Sequence, residues 1–178
     1  MKKYLYLTIL YGVLSPTVSH AQNPYPLHCP NGVETPAPWT GWTEPVSAMT
    51  GWDEASAVPL QLGKPVIVAL VPSMQATFKQ PAGKEPRAYS FGGIFSVSLD
   101  RPMVLAVGLS DKAWLDVFSD GQAVPPKGLG YGSKCMSVKY MNYYDLSAGQ
   151  HIIQLYDAGV EEMEIMAVEQ PVVTEKRR

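Results

Sequence analysis

Hydrophobic and polar positions alternate along most of this chain with the two-residue period of strands, and glycine and proline interrupt the pattern at short intervals. "YSFGGIFSVSL" (89–99) sets Tyr89, Phe91, Phe95, Val97 and Leu99 on one side and Ser90, Ser96 and Ser98 on the other. Its Gly92-Gly93 pair marks a bulge or a close backbone approach. "PVIVALV" (65–71) and "MVLAVGL" (103–109) are apolar throughout, as buried strands are. "AWLDVFS" (113–119) runs into the turn signal Asp120-Gly121, and "CMSVKYMNYY" (135–144) alternates Met136, Val138 and Tyr140 against Ser137 and Lys139. "QATFK" (75–79), "GQHIIQLY" (149–156) and "EMEIMAV" (162–168) complete a set of about eight strands without an amphipathic helix. The predicted fold is all-β, an antiparallel β-sandwich of jelly-roll type over residues 59–170.

The two ends break the pattern. Lys2 and Lys3, an apolar run from Tyr4 to Leu14 and small residues at Ser19 and Ala21 read as a secretory leader over 1–21, leaving Gln22 as the first mature residue. Residues 22–58 have no sustained period and carry Pro24, Pro26, Pro30, Pro36, Pro38 and Pro45 together with Trp39, Trp42 and Trp52. They are expected to form an ordered N-terminal strap, with Trp42 and Trp52 buried as plugs and Trp39 exposed. "TEKRR" closes a charged tail over 171–178.

Charge narrows the partners. The chain has 14 basic and 16 acidic residues, and losing the two leader lysines leaves 12 against 16. No basic footprint for a phosphate backbone is present, so nucleic acid is not an expected partner. No later stretch is long and apolar enough to span a bilayer. Export, to the periplasm or beyond, places Cys29 and Cys135 in an oxidising compartment, where a disulfide between them is expected. Closing a loop of about 107 residues contributes ~4 to 5 kcal/mol in the chain-entropy picture.

Motifs for catalysis are missing: there is no G-x-S-x-G, no H-E-x-x-H and no phosphate loop. Asp116 and Asp120 would lie ~13 Å apart along one strand, too far for either glycosidase geometry. No catalytic residue, metal ligand or cofactor is therefore assigned. Recognition is carried instead by aromatics: Trp114, Asp116 and Phe118 share a strand face, and Tyr131 sits in the glycine- and proline-rich stretch "GQAVPPKGLGYGSK" (121–134), read as a long loop. Trp114, Asp116, Tyr131 and Lys139 are the candidate ligand-binding residues. The other reading of the same positions makes Trp114 and Phe118 core residues and Asp116 the partner of Lys139.

"QLGKPVIVALVP", "AYSFGGIFSVSL", "AWLDVFSDGQ" and "SKCMSVKYMNYYDLSAGQHIIQL" together resemble a family of small exported bacterial β-sandwich proteins, over about Leu60 to Val168. Its members often carry the name homogentisate 1,2-dioxygenase. The name implies iron(II) held by two histidines and a glutamate; the mature chain offers His28 and His151 and no acidic residue at the matching spacing, so no ligand residue is carried over. The expected function is an exported, non-catalytic binding module for a glycan, a cell-envelope component or a small aromatic. The alternatives are a dioxygenase-like oxidoreductase, as the name implies, and a structural or interaction protein of the envelope. Oligomeric state is left open.

Overall fold

In the computed structural model, which describes residues 29–30, 32–79 and 85–170, the alternating stretches become strands in two packed layers. The predicted leader, the first residues of the strap and the charged tail lie outside the described residues. In chain order the strands are β1 (Val46–Met49), β2 (Val58–Pro59), β3 (Val66–Ala69), β4 (Val71–Pro72), β5 (Phe91–Leu99), β6 (Met103–Leu109), β7 (Trp114–Ser119), β8 (Gln122–Val124), β9 (Gly128–Tyr131), β10 (Tyr140–Leu146), β11 (Gly149–Ala158) and β12 (Glu162–Glu169). The first layer runs β1-β3-β12-β6-β10-β9 and the second β2-β5-β11-β7-β8, with β4 also on β5.

Eight of these strands, β3, β5, β6, β7, β8, β10, β11 and β12, pair with one another only antiparallel. Counted along the chain, they stand first–eighth–third–sixth in one layer and second–seventh–fourth–fifth in the other. That interleaving is the double Greek key of a jelly roll. The layers are nonetheless mixed, because β1 and β2 join β3 and β5 in parallel. The two parallel additions come from the region of the strap.

Between the layers, Phe95, Val97, Leu105, Val107, Leu109, Val117, Ile153, Leu155 and Ile165 form the main core. The apolar run 65–71 is not one buried strand. It breaks at Leu70, where the chain leaves the first layer as β3 and enters the second as β4, and Ile67 and Ala69 face away from the core. "QATFK" is no strand either: a 3-10 turn over Ser73–Gln75 delivers Phe78 onto Tyr156, with ring centroids 5.8 Å apart. The Gly92-Gly93 expectation holds as a close approach, since a Cβ on Gly93 would collide with the Thr50 side chain. The register slips on the facing strand, between Leu155 and Ala158 of β11.

The strap reverses two expectations about its indoles, an exposed Trp39 and a buried Trp52. Trp39 and Trp42 are both buried, and Trp52 is half exposed. Trp42 N–H donates to the Trp39 carbonyl at 2.9 Å as the chain enters the 3-10 turn Thr40–Thr43. Residues three apart in such a turn project to the same side. Both rings therefore descend together onto Ala106, Val138, Met141, Met166 and Val168, the outer surface of the first layer. Gly108 makes room, because a Cβ there would lie 2.6 Å from the Trp39 ring. Trp52 ends in a turn held by Ser56 and Asp53, over no comparable apolar surface. Cys29 and Cys135 form the expected disulfide, with Cα atoms 5.6 Å apart, and Glu34 bridges to Met136 beside it.

Candidate functional site

The second layer ends at β7 and β8, and the first at β10 and β9. At that margin β10 faces β7, and the Tyr144 hydroxyl reaches the Leu115 carbonyl across the layers. In register, Tyr140 faces Tyr131 and Asn142 faces Leu129 across the β9–β10 pair. Strand alternation places Tyr140, Asn142, Tyr144 and Leu146 on one side of β10. Tyr144 and Leu146 are buried in the main core, while Tyr140 only borders it. Beyond Tyr144 a cleft of about 190 Å³ opens between the start of β7 and the strands β9 and β10. Pro126 lies where the chain crosses from β8 to β9, and Lys112, Ala113 and Trp114 form the opposite rim.

Aromatic side chains dominate the walls. Tyr131 is 72% exposed, and its ring meets Tyr140 edge to face with centroids 6.0 Å apart. Trp114 is 46% exposed at the start of β7. The floor is fixed by Tyr144, whose hydroxyl donates to the Leu115 carbonyl at 3.1 Å. Burial, with the Asp116 carboxylate nearby, pushes that phenol well above its ordinary range, so it remains a neutral donor. Among the described residues no carboxylate lines the cleft. Asn142 is the polar exception on the inward row of β10, and its amide has no hydrogen-bond partner among the described residues.

Of the four residues singled out in the sequence, Trp114 and Tyr131 meet in this cleft, and Asp116 and Lys139 do not line it. Asp116 lies on the outward side of β7, where the Tyr156 hydroxyl hydrogen-bonds its carboxylate. The Lys139 ammonium donates to the Lys134 carbonyl at 2.9 Å. The alternative pairing of Asp116 with Lys139 is not formed either. Phe118 shares the outward side with Trp114 but is buried against Ile94, Ile152 and Phe78, so the two make no continuous platform. Residues 121–134 are not one long loop, because they contain β8 and β9.

Lys112, Tyr140, Leu129 and Asn142 escaped the sequence reading. The signal for Asn142 was present: within "YMNYYDL" it shares the parity of Tyr140, Tyr144 and Leu146. A polar residue in an apolar row marks a local conflict, and such conflicts concentrate at functional sites.

A second hollow, about 380 Å³, lies on the outer side of the second layer among Glu54, Lys79, Phe118, Asp120 and Gln150. It is larger, but its cation is occupied: Lys79 pairs with Glu54 at 2.9 Å and lies over the Phe118 ring. A ferrous centre of the kind implied by the dioxygenase name needs converging donors. Among the described residues no group of three or more His, Cys, Asp or Glu side chains gathers to hold a metal, and His151 is buried with Nε2 3.0 Å from the Ser147 carbonyl. The described residues do not fit that centre. No helix among them is long and apolar enough to cross a membrane.

No protein-family model matches the chain, and no curated protein matches it.

Proposed function

We propose that the protein is an exported, non-catalytic binding module that holds one ring of its ligand in the cleft between β7, β9 and β10. The ring belongs to a glycan, to a cell-envelope component or to a small aromatic molecule. One observation carries the reading: an open cleft lined by Tyr131 and Tyr140, with Trp114 at its rim, contains the Asn142 amide, which has no hydrogen-bond partner among the described residues. Apolar concavities with a few placed polar groups are the usual form of small-molecule sites. A volume of about 190 Å³ suits a single ring. The Cys29–Cys135 disulfide supports a compartment outside the cytoplasm, and we place the protein in the periplasm or the external medium.

The test is a fluorescence and calorimetric screen of monosaccharides, envelope fragments and monocyclic aromatics against the parent protein, Tyr131→Ala and Asn142→Leu. Ligands that bind the parent should bind both variants at least about tenfold more weakly, the scale of a lost stacking contact or buried hydrogen bond. Hits that bind all three proteins equally would remove the cleft from consideration.

A further inference from the structure

Three lysines stand near the cleft, and two are already engaged. Lys127 pairs with Asp145 at 2.9 Å, and Lys139 is held by the Lys134 carbonyl. Lys112 is exposed on the rim and has neither ion pair nor hydrogen bond among the described residues. Its chain neighbour Asp111 accepts a hydrogen bond from the Ser110 hydroxyl at 3.1 Å. The polar inventory of the cleft is therefore unbalanced. Lys112 donates only, the Asn142 amide and the phenols of Tyr131 and Tyr140 both donate and accept, and among the described residues no carboxylate balances the ammonium.

A site with a cation and no anion discriminates. A neutral polyol can hydrogen-bond the amide and the phenols but leaves the ammonium without a counter-charge. A carboxylate brings acceptors alone, and its hydrogen bonds to an ammonium are charge-assisted. Building on the binding reading above, we infer that the cleft selects a ring carrying a carboxylate, with Lys112 as the anion anchor, Asn142 as the second donor, Tyr131 against the ring and Trp114 at the rim. The shared chemistry is an anionic ring, which either an aryl carboxylate or a uronic acid supplies.

Two matched pairs of probes separate these possibilities: benzoate against benzyl alcohol, and glucuronate against glucose. Each is titrated at low salt into the intact protein and into Lys112→Met, which keeps the aliphatic stem. The anion of each pair that binds should be favoured over its neutral partner by roughly fivefold, the scale of an exposed charge pair. That preference should shrink with added salt and vanish in Lys112→Met, while affinity for the neutral probe stays the same. Whether benzoate or glucuronate binds more tightly identifies the source of the ring. Neutral and anionic partners binding equally, or a preference that survives in Lys112→Met, would overturn the inference and leave the cleft as a ring site. Binding of no probe at the cleft would overturn both readings together.

Discussion

The outer surface of the first layer and the open margin beside β9 are both built from aromatic rings on the same sandwich, and the rings have opposite fates. On the outer surface Trp39 and Trp42 are 3% and 4% exposed, packed edge to face at 6.2 Å, and seated on five apolar side chains. At the margin Trp114 and Tyr131 stay largely exposed around a concavity. Residue type does not separate the two groups. What separates them is whether a described segment covers them. The strap brings two rings down onto an apolar surface that would otherwise face water, whereas nothing among the described residues is brought down onto the margin.

The contrast should be largest in stability. Trp42→Ala is expected to destabilise by about 3–5 kcal/mol, as for other buried large aromatics truncated to alanine. Chemical denaturation measures it, and a loss below about 1 kcal/mol would mean that the strap is not a structural cover. Next comes its tether. Replacing Cys29 and Cys135 with serine should cost about 2–5 kcal/mol, and intact mass before and after reduction with alkylation should show one bridge. Two freely alkylated thiols in protein isolated without reductant would contradict this.

A smaller effect involves Glu164, which lies beneath Trp42. The Trp42 indole hydrogen-bonds its carboxylate, yet Oε1 is buried without a partner. Burial raises the carboxyl from 4.5 to about 7, outweighing the opposite pull of the indole. Because the folded pKa is the higher one, the stabilising contribution is full below about 4.5 and is lost as pH rises through about 7. Melting temperature measured across that window should fall with pH more steeply for the parent than for Glu164→Gln. Parallel curves would refute the shift. The smallest expected change is at the margin: Tyr131→Ala should leave stability within about 0.5 kcal/mol. Global unfolding of that variant would make Tyr131 a core plug and end its role in a site.

These regions also differ in how far they could be read from sequence. The long strands β5, β6, β11 and β12 were legible because alternation or unbroken apolarity persisted over seven residues or more. β8 and β9 were not, since "QAV" and "GLGY" are too short and too glycine-rich to show a period. The strand expected from residue 135 begins only at Tyr140; Cys135 is tied to Cys29 and the intervening residues bend toward Glu34. Trp39 was misplaced because its burial depends on three-residue spacing in a 3-10 turn, which strand and helix periods do not reveal. At the site, strand parity put Trp114 and Asp116 on one side correctly, but parity does not tell which side borders a cavity. That depended on how the start of β7 meets β9 and β10 across the two layers, a property of topology that no local pattern carries.

The chain holds four tryptophans, and each indole N–H gives its own resonance, assignable from single Trp→Phe variants. Titration with a ligand from the screen, followed through those four signals, tests directly whether the open margin is where a ring binds. The expected result is a saturable shift of Trp114, with Trp39 and Trp42 unmoved and Trp52, exposed but outside the cleft, also unmoved. Saturable shifts at Trp52 or beneath the strap, with Trp114 silent, would contradict it.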